Sequence, residues 1–214
     1  ASFEVVDLPL IAYVARKGKP MIISTGLANL AEIEAAVATA RENGCSELIL
    51  LHCISSYPAP SDQSNLRTMP HLGAAFGTVT GLSDHTHGTA TSVASIALGG
   101  SVIEKHFTLA RADGGPDSAF SLEPDEFKRL CDDCSDAWKS LGRVHYQVKG
   151  AEAGNVVFRR SLYVVADIKA GDLLTAQNVR SIRPGYGLAP KALPKALGQR
   201  ATRDLARGEP LDWD

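Results

Sequence analysis

Several features that would sort a chain into a specialised class are scarce in this one. Aromatic residues make up 6% of the 214 positions, and no Arg/Lys stripe with interleaved aromatics occurs, which argues against a nucleic-acid-binding surface. Cysteine occurs four times, at Cys45, Cys53, Cys131 and Cys134. That is too sparse for a disulfide framework at this length, so reduced thiols are expected. Long hydrophobic runs are missing: the stretch from Glu47 to Cys53 (ELILLHC) is among the longest, far short of the ~20 residues that cross a bilayer. No basic-then-apolar leader opens the sequence. These absences argue against a membrane span and a disulfide-stapled secreted domain, and the expectation is a cytoplasmic protein.

Net charge is also small, −2 at neutral pH. It is unevenly spread: residues 1–150 hold 12 basic and 17 acidic side chains, residues 151–214 hold 10 and 7. A mildly basic second part suits contact with an anionic ligand or an acidic neighbour.

What is present is a periodic alternation. Pro20 to Ser24 (PMIIS) reads as a strand; Leu30, Ile33, Val37 and Ala40 then recur at helical spacing up to Gly44, a C-cap signal. Glu47–Cys53, Thr78–Asp84 and Ser101–Phe107 are further strands, with a helix through Val93, Ile96 and Ala97. Unbroken apolar strands interleaved with helices predict a parallel sheet covered on both faces. Ser121-Leu122-Glu123-Pro124 announces a last helix with the apolar stripe Phe127, Leu130, Cys131, Cys134 and Leu141. Both thiols of the Cys131–Cys134 CxxC fall on that stripe, which reads as core filling rather than a zinc or redox site. Regularity lapses over 144–156, a linker signal. Beyond it, SLYVV, a KAGD turn, LLT, NVRSI and a turn-rich PGYG describe a small β-rich module.

The chain opens on Ala1-Ser2-Phe3-Glu4, which reads as the end of a strand whose start lies upstream. A closed (β/α)8 barrel takes roughly 250 residues, and the first part has room for about five strands. The expectation is a piece of a longer protein.

In parallel α/β folds, ligands bind at the carboxyl ends of the strands. Those ends supply Ser2 and Glu4, Ser24 and Thr25, His52 and Cys53, Ser83, Asp84 and His85, then Glu104, Lys105 and His106. His85 and His106 end consecutive strands. Two readings stand side by side: the imidazoles share a divalent metal with positions left open for substrate, or each bonds a loop carbonyl. Alternation places Glu104 and His106 on one face and Lys105 on the other, so Lys105 reads as structural. Asp117, in the Gly114-Gly115-Pro116-Asp117 loop, could bond sugar hydroxyls or simply form the turn. His52 reads as a satisfied core histidine and His87 as a solvated loop residue.

Six strings, GKPMIISTG, LLHCISSYP, GLSDHTHG, VIEKHFTL, GPDSAFSLEPDEF and RRSLYVVADIKAGDLLTAQNVRSIRPGYGL, together resemble the sialic acid synthase family of nonulosonic acid synthases. GGPDSAFSLEP and NVRSIRPG look most like its pseudaminic acid branch. The resemblance implies the carboxyl-terminal half of a (β/α)8 TIM barrel over 1–143, a linker over 144–156, and a small β-rich SAF (antifreeze-like) domain over 157–214. It further implies condensation of phosphoenolpyruvate with an open-chain N-acetylated amino sugar, a 2,4-diacetamido-2,4,6-trideoxy hexose, giving pseudaminic acid and phosphate. Neuraminate or legionaminate synthesis is the alternative; so is a non-catalytic sugar-binding piece, if the native chain starts at Ala1.

By the same resemblance, Mn²⁺ or Mg²⁺ is held by His85 and His106, and Glu4 orients or deprotonates a water. Ser2, Ser24 and Ser83 lie near phosphoenolpyruvate, and Tyr57 and Asp117 face the sugar. Arg183 reaches the partner's site in a domain-swapped homodimer. No nucleic acid and no membrane are implied as partners.

Overall fold

The structure is a computed structural model describing residues 1–213. It divides into two compact units, Ala1–Arg143 and Val144–Asp214, each described by itself.

The first unit repeats strand and helix. A 3-10 turn over Ser2–Glu4 leads into helix α1 (Leu8–Ala15), whose N-cap Asp7 accepts from the Leu10 N–H at 3.1 Å. Strand β1 (Met21–Ser24) is followed by α2 (Leu30–Glu42). A capping box starts α2: Asn29 accepts from the Glu32 N–H at 3.0 Å, and the Glu32 carboxylate accepts from the Asn29 N–H at 2.8 Å, satisfying two otherwise orphaned donors. Then come β2 (Leu48–Cys53), α3 (Thr68–Phe76), β3 (Val79–Asp84), α4 (Ala90–Ala97), β4 (Val102–Lys105) and α5 (Pro124–Leu141).

The four strands form one parallel sheet in the order β1-β2-β3-β4. Leu50 pairs with Ile23 and Thr80, and Ser83 pairs with Cys53 and Glu104. The central strands bury both faces, as the apolar run LILL of β2 leads one to expect of a parallel sheet. Leu50 and Leu51 are wholly buried, each worth about 1.5–3 kcal/mol relative to exposure. Gly81 lets β3 and β4 close up: a Cβ there would stand 2.1 Å from the Val102 carbonyl oxygen.

The second unit begins with 3-10 turns over Gly150–Phe158. Its two-stranded antiparallel sheet pairs β5 (Ser161–Val164) with β6 (Val179–Ile182), Leu162 opposite Ser181. Isolated antiparallel bridges, such as Ile168 with Leu205 and Leu173 with Arg200, lie outside it, and a short helix α6 (Leu193–Ala196) contributes Ala196 to the core. Leu162, Val164, Ile168, Val179 and Leu211 form its own core.

Three readings need correction. Ala1–Glu4 is not a strand end: the Glu4 and Val5 N–H groups bond back to the carbonyls of Ala1 and Ser2, which curls the segment into a turn. The CxxC thiols are not core: Cys131 is exposed and Cys134 half-buried, and only Leu130 of the stripe is fully buried. Helix α5 packs against α4, and that contact covers too narrow a strip to bury the whole stripe. Finally, 150–156, taken as irregular, lies within the 3-10 turns, tied by the Lys149 N–H donating to the Glu152 carboxylate at 3.0 Å.

Candidate active site

At the carboxyl ends of β1–β4 lies a cleft of about 380 Å³, lined by Ala1, Ser2, Ser24, Tyr57, Ser83, His85, Glu104, His106 and Asp117. Its volume is within the range of small-molecule sites. Strand alternation explains the lining: Ser83 and His85 share one face of β3 and its exit, and Glu104 and His106 share that face of β4. Asp84 and Lys105, between them, point the other way.

The two imidazoles meet in the cleft, ring centroids 5.1 Å apart and 73° between planes. Tyr57 stacks beside them, 4.3 Å from His85 and 5.7 Å from His106, and the Phe120 ring lies 5.0 Å from His106. The His85 Nδ1 lies 2.7 Å from the Ile54 carbonyl oxygen and 3.8 Å from the Cys53 sulfur. A carbonyl can only accept, so Nδ1 carries a proton, and in the neutral ring the lone pair is left on Nε2. The His106 Nδ1 is 3.5 Å from an Asp117 carboxylate oxygen. Ser83 donates to Glu104 at 2.7 Å, and Ser2 accepts from the Gly26 N–H at 3.1 Å. Gly26 allows that loop to sit close, since a Cβ there would come within 2.2 Å of the Ser55 hydroxyl.

Electrostatics pull the histidines apart. Burial lowers the His85 pKa, but its hydrogen bonds to Cys53 and the Ile54 carbonyl, with the charges of Cys53 and Asp84, raise it further, and the net shift is upward. At His106 burial and the neighbouring His85 charge outweigh Asp117 and Glu104, and the net shift is downward. The Cys53 thiol, although raised by burial, is brought below its usual value by hydrogen bonds with His85 and Ser2. Tyr57 is pushed up by burial and by the negative charges of Cys53, Asp117 and Glu104. Paired groups whose environments separate their pKa values are a signature of acid–base sites.

Of the residues expected at the site, Ser2, Ser24, Tyr57, Ser83, His85, His106 and Asp117 line this one cleft. Glu4 does not: its carboxylate lies 3.4 Å from the Ala1 amino nitrogen and borders a separate apolar hollow with Leu10, Ile11 and Ile22. Arg183 is exposed in the second unit. Lys105 neutralises Asp84 at 2.9 Å, not Glu104, because the two pair across β3–β4 on the face away from the cleft. His52 is satisfied by the Ser64 carbonyl at 2.6 Å and His87 is exposed, as the sequence suggests. Glu104, which the sequence places on the His106 face without giving it a role, lines the cleft, and Phe120 is an addition beside His106.

As a metal centre, the cleft offers two imidazoles, one already oriented by a backbone carbonyl, with the Glu104 and Asp117 carboxylates nearby. That donor set suits a divalent ion that keeps open positions. Among the described residues no group of three or more His, Cys, Asp or Glu is arranged to hold a metal.

A parallel strand–helix unit with a polar cleft at its strand ends, followed by a small β unit, defines the chain as a barrel-type α/β protein with an appended β-rich module. The NeuB family model matches residues 1–146 and the SAF domain model residues 159–214. The chain is 40% identical over 216 residues to the pseudaminic acid synthase of Helicobacter pylori, covering all of this chain and 63% of that protein. It is 39% identical over 211 residues to the N,N'-diacetyllegionaminic acid synthase of Campylobacter jejuni, covering 97% and 63%. Among solved structures, the spore coat polysaccharide biosynthesis protein SpsE of Bacillus subtilis superposes with a TM-score of 0.63 at 34% identity, covering 100% and 65%. The chain therefore belongs to the NeuB (sialic acid synthase) family and carries a SAF domain. Its fold is the carboxyl-terminal half of a (β/α)8 barrel followed by that domain, and the chain spans about 63% of the length of the two curated relatives named.

Proposed function

We propose that the protein to which this chain belongs condenses phosphoenolpyruvate with the open-chain form of a 2,4-diacetamido-2,4,6-trideoxy hexose, giving pseudaminic acid and inorganic phosphate. The observation that carries this reading is the meeting of His85 and His106 with Ser83, Glu104 and Asp117 in one cleft at the strand ends. The names of the relatives support the same class of reaction.

In this reading C3 of phosphoenolpyruvate attacks the sugar aldehyde carbon, water adds at C2, and phosphate leaves with C–O cleavage. The buried hydroxyls of Ser2 and Ser24 donate to phosphate and carboxylate oxygens of phosphoenolpyruvate, and Ser83 joins them when its proton turns from Glu104 to the substrate. Tyr57 offers a ring face and a phenol to the sugar, and Asp117 accepts from its hydroxyls. His85 and His106 hold Mn²⁺ or Mg²⁺, which when bound supplies Lewis-acid polarisation of the aldehyde. With Nδ1 of His85 tied to the Ile54 carbonyl, the ring is oriented so that Nε2 is the atom presented to a metal. Arg183 acts on the sugar in trans, in a domain-swapped homodimer.

The test is phosphate release by the native protein with phosphoenolpyruvate and each of three sugars, the precursors of pseudaminic, legionaminic and neuraminic acids. The expected result is the highest kcat/KM with the pseudaminic precursor. Preference for another precursor moves the protein to that branch, and no phosphate release with any of the three overturns the reading.

A further inference from the structure

Immediately behind the two histidines lies a charge pair that the proposed chemistry does not use. Asp84 precedes His85 at the end of β3, Lys105 precedes His106 at the end of β4, and the two residues are register partners. Their charged groups are 2.9 Å apart, and each side chain is 1% exposed.

The pair is fully partnered. One Asp84 oxygen accepts from both the N–H and the hydroxyl of Thr86, at 2.9 and 2.8 Å. The other accepts from Ser92 at 2.5 Å and from Lys105. Lys105 also donates to the Thr86 carbonyl. Thus the backbone on both sides of His85 is tied to one carboxylate, which is joined in turn to the residue that precedes His106. Ser92 anchors the same carboxylate to α4.

A buried ion pair adds little net stability over a well-packed apolar pair, because desolvation offsets the attraction. What such a pair does fix is geometry, since any displacement leaves a buried charge without its partner. Here the geometry fixed is the separation of two strand ends, each bearing one imidazole of the cleft.

We propose that Asp84 and Lys105 are positioning residues: their ion pair, with Thr86 and Ser92, sets the spacing of His85 and His106 and thereby the affinity of the two-imidazole site for a divalent cation. This rests on the reading of those histidines as metal ligands. Partners that orient ligands in this way typically change metal affinity by about 10–100-fold when removed.

The experiment is isothermal titration of Mn²⁺ into the metal-free native protein, with thermal unfolding of each variant recorded alongside. Lys105→Met breaks the pair, and the double variant Asp84→Asn/Lys105→Met replaces it with a neutral amide that retains an acceptor for Thr86. The expected result is cooperative unfolding with Mn²⁺ affinity reduced at least tenfold in both, and Lys105→Arg closer to the native value than Lys105→Met. His85→Ala serves as the control for the site itself. If His85→Ala abolishes Mn²⁺ binding while both pair variants bind like the native protein, the positioning role is overturned and the metal site stands. If His85→Ala binds Mn²⁺ unchanged, the metal reading fails and this inference fails with it. If neither pair variant folds, the pair is a folding determinant and the positioning role is likewise overturned.

Discussion

The imidazole rings of His85 and His106 meet edge to face, their centroids 5.1 Å apart, brought together from the ends of two adjacent parallel strands. Replacing either by alanine removes one of two nitrogens from the proposed metal centre without touching the sheet hydrogen bonds. The expected outcome is loss of Mn²⁺-dependent phosphate release by at least 100-fold, with melting behaviour close to native. Activity within tenfold of native in either variant would count against the metal assignment.

Much of this site can be read in the sequence because parallel strands announce themselves. The runs MIIS and LILLHC are apolar until they near their carboxyl ends, and in GLSDH the polar residues follow directly on Leu82, so that the polar groups gather at the strand ends where ligands bind. Less visible is how neighbouring strands divide their labour. Asp84 and Glu104 are both acids at strand ends; one is buried behind the sheet against Lys105 and the other bonds Ser83 in the cleft. Alternation puts Glu104 on the His106 face, and the register Ser83↔Glu104 and Asp84↔Lys105 then decides which partner each acid meets. Residues such as Phe120, delivered by a turn rather than a strand, carry no periodic signal. The exposure of Cys131 is equally silent in sequence, because helical spacing marks a stripe but not how much of it a neighbour covers.

Gly81 tests the tight β3–β4 approach. An added Cβ would meet the Val102 carbonyl at 2.1 Å and a Leu51 methyl at 2.9 Å, so Gly81→Ala must push the strands apart. Overpacking of this kind costs about 1–3 kcal/mol or more. Urea unfolding should show a lowered midpoint, and the displaced strand end should weaken Mn²⁺ binding as well. A midpoint equal to native would mean that the sheet has slack the structure does not show.

The Arg111–Glu126 pair gives a pH prediction. Glu126 is held well below the usual carboxylate range, at about 2, chiefly by its hydrogen bonds with the Arg111 guanidinium and then by the Glu123 N–H. A carboxyl whose pKa is depressed by folding contributes stability above its unfolded value near 4.5, and loses it as pH falls toward about 2. The native protein should therefore melt above Glu126→Gln at neutral pH, with the gap closing between about pH 5 and pH 2. The gap should be small and should shrink in salt, since both side chains are more than a third exposed. A gap that widened on acidification would reverse the sign and refute the pairing.

In the second unit Leu162 is wholly buried and its backbone bonds Leu188 and Leu211. Leu162→Ala removes a large side chain from a small core, at a cost of about 2–5 kcal/mol. Because the core around Val164, Val179 and Leu211 is separate from that of the first unit, hydrogen exchange should quicken at Val164 and Val179. The amides of Leu50 and Leu51 should keep their native protection. Equal acceleration in both units would show that they unfold as one.

Asp117 separates sugar binding from chemistry. Its carboxylate is half exposed at the cleft, 3.5 Å from the His106 Nδ1, while the Ser121 hydroxyl holds the loop by donating to the Asp117 carbonyl at 2.8 Å. Asp117→Asn keeps that backbone anchor and the side-chain shape but removes the charge. If Asp117 accepts from sugar hydroxyls, KM for the amino sugar should rise about tenfold or more, a loss of roughly 1.5–3 kcal/mol for a charged hydrogen bond. The KM for phosphoenolpyruvate should stay within about twofold, because the serine hydroxyls proposed to bind it come from other strands. A rise in both constants together would instead place Asp117 in the support of His106, and its contact with the sugar would have to be given up.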